Sequence, residues 1–67
     1  MIPVVSSQIK AVGYDEDESE LFVQFKNGRI YVYHEVPNRE YVAILNASSP
    51  GTYFADHIKS KFEYQQL

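Results

Sequence analysis

The sequence predicts an α+β fold: a three-stranded antiparallel β-meander followed by two α-helices packed on one of its faces. The first feature behind this reading is Leu21–His34, LFVQFKNGRIYVYH, where two runs of β-branched and aromatic residues flank Asn27-Gly28. That dipeptide accepts positive φ and closes tight hairpins. The second is the short segment Gln8–Tyr14, QIKAVGY, which has the length and character of a partner strand. The third is a pair of prolines, Pro37 and Pro50, each just ahead of apolar residues at i, i+4 spacing. No repeat, linker or shift of composition divides the chain, so residues 1–67 read as one small domain.

Met1–Ser7 has no partner pattern and reads as a lead-in. The first strand covers about 8–14 and ends in Gly13-Tyr14. Asp15–Glu20, DEDESE, holds five acids in six residues with no apolar face, and so forms an exposed loop. The second and third strands cover 21–26 and 29–35. Two registers are open to them. A two-residue turn at Asn27-Gly28 pairs Phe25 with Ile30 and turns Tyr31 and Tyr33 away from Val23. A three-residue turn with Gly28 as a bulge instead puts Leu21, Val23 and Phe25 on one face with Tyr31 and Tyr33. Asn-Gly alone favours the first; the denser single face favours the second.

Val36-Pro37 ends the third strand, with the proline at the start of a helix over about 38–46 whose buried stripe is Tyr41, Ile44 and Leu45. Ser49 is a natural N-cap for a second helix over about 50–61, with Pro50 at its first position and Phe54, Ile58 and Phe62 on one face. Glu63–Leu67 is a weakly patterned tail. Gly51 in the first turn of that helix costs propensity, up to ~1 kcal/mol. Either it permits close packing, or Gly51 and Thr52 leave the free N–H groups of the helix start open to an anion.

Composition sets the outer limits. A chain of 67 residues lies near the lower limit for folding alone, and without cysteine it has neither disulfides nor thiolate metal sites. The core must come from the 45% of hydrophobic residues, with six Tyr and four Phe as its large pieces. MIPVVSS lacks the basic region of a signal peptide and no apolar run is long enough to span a bilayer. The expectation is a protein of a reducing, cytoplasmic setting with no membrane partner. A net charge of −3 opposes strong non-specific nucleic-acid binding, though it is an average that can hide a local patch.

Catalytic signatures are missing. His34 and His57 lack metal-ligand spacing and read as edge or surface histidines. Asp56 and His57, adjacent on a helix, diverge by about 100° and cannot orient one another. No serine lies in a G-x-S-x-G elbow. The acidic run fails the EF-hand pattern, because Glu20 and Lys26 stand where glycine and glutamate are required. The reading is a non-enzyme with no cofactor and no metal.

The ordered residues do resemble a family. S-x-I-x-x-V-G-Y-D (Ser7, Ile9, Val12, Gly13, Tyr14, Asp15) is followed by L-x-V-x-F-x-x-G-x-x-Y-x-Y (Leu21, Val23, Phe25, Gly28, Tyr31, Tyr33) and by Val36-Pro37. After Tyr41 and Leu45 comes A-x-S-x-G-x-Y-F-x-x-x-I-K (Ala47, Ser49, Gly51, Tyr53, Phe54, Ile58, Lys59). Together these resemble the KTSC domain, a small module named for the C-terminus of some lysyl-tRNA synthetases and found also as a stand-alone bacterial or phage protein. The functional implication of that resemblance is RNA binding, a role proposed for the family. The chain departs from the pattern at IKSKFEY, with lysines in place of an arginine and Phe62 in place of a tyrosine.

Charge placement points the same way. In an up-down-up meander Lys10 falls beside Lys26 and Arg29 at the turn end, and the five acids gather at the opposite end. Three cations suffice for a weak, salt-sensitive phosphate contact. Tyr31 and Tyr33, alternating on a strand, read either as core or as a base-stacking platform. The leading expectation is a non-enzymatic module that contacts RNA through Lys10, Lys26, Arg29, Tyr31 and Tyr33. The alternative is a protein-interaction or self-associating module using the aromatic surface or the two unpaired edges of a three-stranded sheet.

Overall fold

The register of the central hairpin is set by Gly28. In the computed structural model, which describes residues 1–67, the Phe25 N–H donates to the Arg29 carbonyl and the Gly28 N–H to the Phe25 carbonyl, both at 2.9 Å. Gly28 has φ +91°, in the left-handed region, and the Asn27 side chain accepts from the Arg29 N–H at 2.9 Å. This is the three-residue turn with a glycine bulge. Leu21 therefore pairs with Tyr33 and Val23 with Tyr31, so the dense face forms.

Five strands make up the sheet rather than three: β1 (Ile2–Pro3), β2 (Ile9–Asp15), β3 (Glu20–Phe25), β4 (Ile30–Tyr33) and β5 (Tyr64–Gln66), in that spatial order and all antiparallel. The meander is its centre. The lead-in pairs Ile2 with Val12 and Pro3 with Ala11, and the tail pairs Tyr64 with Tyr33 and Gln66 with Tyr31. Both outer strands are too short for an alternating pattern, and β5 is held by backbone bonds that leave no trace in side-chain hydropathy. The His34 N–H to Glu63 carbonyl and Leu67 N–H to Ile30 carbonyl bonds, both 2.8 Å, extend that pairing. The edges expected to be free on β2 and β4 are thus occupied.

A second bulge shapes β2. Ile9 pairs with Phe25 but Ala11 with Gln24, leaving Lys10 as the extra, exposed residue. The shift lets Ile9 and Val12, three apart rather than two, both enter the core. Against Ile9, Val12, Leu21, Val23 and Tyr33 pack Ile44 of α1 (Asn38–Asn46) and Phe54 of α2 (Pro50–His57), with Val36 and Ile58 between them. Both helices thus contribute to the one core face. Two polar links brace them: the Tyr14 hydroxyl donates to the Val36 carbonyl, and the Tyr53 hydroxyl of α2 to Glu40 of α1, both at 2.6 Å.

Helix boundaries differ from expectation in three places. Pro37 is extended, φ −63° and ψ 147°, and caps α1 from outside instead of opening its first turn. Ser49 does occupy the N-cap of α2 with Pro50 following, but its hydroxyl donates to Thr52 Oγ1 at 2.9 Å and makes no cap bond to the backbone. The second helix ends at His57, not near Lys61, because Ile58 leaves helical geometry (φ −124°, ψ −48°). That turn starts the return of the chain to the sheet as β5. No helix is long and apolar enough to cross a membrane.

A Cβ at residue 28 would meet no atom within 4 Å, so backbone strain alone governs substitution there. Gly28→Ala is expected to destabilise by about 1 kcal/mol, and Gly28→Asn, which tolerates the left-handed region, by less. Urea unfolding of the two variants checks this; equal losses would show that the cost is not conformational.

Candidate nucleic-acid interface

Five aromatic side chains close a ring on the helix-bearing side of the sheet, reaching from Phe25 beside the hairpin turn to Tyr33 and Tyr64 at the far end of β4. Phe25 meets Tyr31, Tyr31 meets Tyr64, Tyr64 meets Tyr33, Tyr33 meets Phe54 and Phe54 returns to Phe25, with centroid separations of 5.2 to 5.7 Å. Edge-to-face and tilted geometries dominate, as the quadrupoles of such rings favour. Strand alternation explains the assembly: Phe25, Tyr31, Tyr33 and Tyr64 all project to one side because the bulged register aligns β3, β4 and β5. Phe54 comes down from α2.

The ring lines an open cleft of about 340 Å³. Tyr33 and Phe54, each 3% exposed, form its floor, while Tyr64, 54% exposed, stands at its rim. Gln8, Asn27 and Lys59 supply the polar lining, and no carboxylate takes part. Burial, followed by the neighbouring Tyr64 and Tyr31 phenols, pushes the Tyr33 phenol up to about 12.

The residues singled out from sequence fall as follows. Lys26 and Arg29 flank the turn, and the Lys26 N–H bonds to the Gln8 carbonyl at 2.9 Å, which brings the start of β2 and Lys10 to the same end. Tyr31 is half-buried on the cleft wall. Tyr33 is a core residue, so of the two readings weighed for it the stacking platform is the one lost. Phe25, Phe54, Lys59 and Tyr64 belong to the cleft and were not anticipated. Phe25 and Phe54 showed only as core spacing, Lys59 was read within the second helix, and nothing in the weakly patterned tail announced that Tyr64 pairs with Tyr33.

At the opposite end, Asp15 Oδ1 accepts the N–H groups of Asp17 and Glu18 at 3.0 and 3.3 Å, tying the acidic loop into a tight turn with Ser19 at φ 54°. His34 Nδ1 lies 3.0 Å from Glu20 Oε2, and His57 stacks on Tyr53 at 4.3 Å. No group of three His, Cys, Asp or Glu residues is placed to hold a metal ion. Bonding to Glu40, with burial adding to it, raises the Tyr53 phenol above its ordinary value.

Gly51 and Thr52 do not lie on the cleft. A Cβ on Gly51 would come within 3.0 Å of Ser6 Oγ, an atom fixed by the N–H groups of Gln8 and Ile9 at 3.2 Å each. The lead-in, not the sheet or α1, is what the helix start approaches.

An antiparallel five-stranded sheet with two helices on its core face defines the class: a small two-layer α+β domain. The family model of the KTSC domain matches residues 5–62, and the chain belongs to that family. It is similar to a KTSC domain protein from Yersinia pestis known by crystal structure, at a TM-score of 0.90 and 39% identity over 97% of this chain and 92% of that one. A protein of Tsukamurella paurometabola is 40% identical over 62 residues, 92% of each chain. A lysine–tRNA ligase of a Nostoc species is 41% identical over 61 residues, 91% of this chain but 11% of the ligase, so the chain spans about a tenth of that enzyme's length.

Two outcomes follow from this geometry. The folded state holds the Tyr33 proton more tightly than the unfolded chain does, so the associated stability is complete below pH 10.0 and declines as pH rises towards about 12. Urea midpoints across that interval should fall for the native protein and fall less for Tyr33→Phe; parallel declines would show that Tyr33 does not control it. At the helix start, Gly51→Ala should lower the melting temperature alone yet be neutral or stabilising beside Ser6→Gly, a coupling on the order of 1 kcal/mol. If Gly51→Ala stabilises the unaltered background, close packing is not what the glycine serves.

Proposed function

We propose that this domain is a non-enzymatic binding module that contacts RNA weakly through its hairpin-turn end. The carrying observation is the segregation at that end: Lys26 and Arg29 on the turn, Lys10 at the adjoining bulge and an aromatic cleft between them and α2, with the acidic loop at the far end of the sheet. Cations meet phosphate, and half-buried rings offer faces to unpaired bases. The likeness of the chain to part of a Nostoc lysine–tRNA ligase, an enzyme whose name places tRNA among its substrates, supports the same reading.

A protein-interaction role is the second reading, and one observation favours it. The sheet face away from the helices carries Phe22 and Ile30, both half-buried, beside Val32, which is buried although no helix lies over it. The edges of β2 and β4 that first suggested self-association are filled by β1 and β5, whose own short outer edges now end the sheet. Light scattering at rising concentration tests it, and a strict monomer removes the self-association form.

Titration of tRNA and of single-stranded RNA at two salt concentrations tests the leading reading. With three phosphate contacts, log Kd against log salt should have a slope near 2, about a twenty-fold weakening between 50 and 200 mM salt. Lys26→Glu with Arg29→Glu should remove most of that dependence. No salt-dependent binding at high micromolar protein would overturn the proposal.

A further inference from the structure

The open aromatic ring is unusual for so small a core. Phe25 and Tyr31 are half-buried and Tyr64 is largely exposed, although all three project to the face of the sheet on which α2 packs. The helix stops at His57, and the concavity it fails to cover has the chemistry of a binding site rather than of a packing defect.

We propose that this cleft receives one unpaired nucleobase of a single-stranded RNA, held against Phe25, Tyr31 and Tyr64, with the Gln8 and Asn27 amides at the base edge and Lys59 at the adjoining phosphate. The proposal rests on the RNA reading above and names the ligand of the same site. Four observations carry it.

The first is the lining itself. Five rings converge on one space, two as a buried floor and three as partly exposed walls, and a base stacks on such rings whatever its identity, because every base has a π-face. Size is the second. About 340 Å³ stands at the small end of ligand cavities, enough for a single nucleotide and too little for a duplex edge.

The third is the polar lining. Asn27 Oδ1 already accepts from the Arg29 N–H, which orients the amide and leaves its NH₂ group free to donate. Gln8 offers both a donor and an acceptor. Base edges present both as well, whereas an aliphatic side chain would make no hydrogen bond to either amide.

Charge is the fourth, and it separates a base from the other familiar occupant of an aromatic cage, an alkylammonium ion. Such cages favour a cation by their ring faces. Here the one charged group in the lining is Lys59 and no carboxylate lines the cleft; Lys26 adjoins the lining residues Phe25 and Asn27 in the chain, while Asp56 and Glu63, next to Ala55 and Tyr64, stay outside the lining. A cation would be repelled. A neutral ring bearing an anionic phosphate is matched on both counts.

The rings are also held in place in advance. Phe25, Tyr31, Tyr33 and Tyr64 sit on paired strands, and the Tyr31 hydroxyl bonds to Gln66 across β4 and β5 at 3.3 Å. Like any tyrosine, Tyr33 is neutral in the physiological range, and burial, which pushes its phenol up to about 12, widens that margin, so the floor does not oppose a phosphorylated ligand.

The test uses the full chain with a short single-stranded RNA carrying 2-aminopurine, the same RNA with an abasic position there, and the mononucleotides AMP and UMP. Binding should change the 2-aminopurine emission. The abasic RNA and the variant Tyr64→Ala should each bind about tenfold more weakly. Tyr64→Ala keeps the backbone pairing of β5, and its melting curve verifies folding. Lys59→Gln should lower the salt slope by about 0.7, and AMP or UMP should shift the ring resonances of Phe25, Tyr31 and Tyr64. If the RNA binds with salt dependence but neither the abasic position nor Tyr64→Ala matters, the base receptor is overturned and the RNA reading stands. If mononucleotides shift the rings and no RNA binds, the base receptor stands and the RNA reading is overturned. Preference for choline over AMP would overturn the base receptor, and silence in every arm would overturn both.

Discussion

Everything in this domain depends on the extra residue at Gly28. Side chains alternate along a strand, so a hairpin shifted by one residue moves every side chain of β4 to the other face. With the glycine at φ +91°, Tyr31 and Tyr33 join Leu21, Val23 and Phe25. Under a two-residue turn Ile30 and Val32 would replace them, and the helices would meet aliphatic residues too small to reach Phe54 as the tyrosines do. The core, the aromatic ring and the cleft thus share one cause. The bulge in β2 complements it, because Ile9 and Val12 can both serve the core only if Lys10 is set aside. Two irregularities of one residue each, in facing strands, produce a single dense face and leave a lysine exposed beside the turn.

The uncovered part of that face has an equally local origin. An α2 continuing to Lys61, as the sequence pattern favours, would leave too little chain for Tyr64–Gln66 to come back beside β4. Stopping at His57 exchanges one helical turn for a fifth strand. Ile58 secures the exchange: it is fully buried and also the residue at which the backbone leaves the helix. The strand gained closes the β4 edge, which lowers the hazard of edge-to-edge pairing. The cover lost leaves the rings of Tyr31 and Tyr64 open. Protection of the edge and exposure of the cleft are two results of the same turn.

This explains which parts of the molecule were legible in its sequence. Elements that announce themselves through side-chain periodicity or turn chemistry were readable: the meander, the glycine bulge as one of two registers, α1, and the start of α2 at Pro50. The outer strands were not, since Ile2–Pro3 is too short to alternate and Tyr64–Gln66 pairs through its backbone. The cleft was half legible. Tyr31 carries its own signal, as do Lys26 and Arg29 on the turn beside the cleft, but Tyr64 comes opposite Tyr33 only by virtue of a strand that hydropathy does not reveal. Tyr33 shows the limit from the other side, for alternation correctly gave it a face and could not say that Phe54 would bury it. Gly51 was legible as an unneeded glycine; its neighbour Ser6, far away in the chain, was not.

Net charge is a poor guide to a domain built this way. In a meander every second connection returns to the same end, so acids confined to the connection between β2 and β3 lie at one pole, and the β3–β4 turn cations at the other. The extents of the molecule, 27 × 23 × 21 Å, exceed the roughly 8 Å over which physiological salt screens exposed charges. An anionic ligand at the turn therefore meets the field of Lys26, Arg29 and Lys59 far more than that of Asp15–Glu20. The distant acids still act while a ligand is approaching at low ionic strength, when they turn the basic pole towards a polyanion. A net charge of −3 is then compatible with a weak, oriented phosphate contact, because orientation depends on the dipole of the domain and not on its sum.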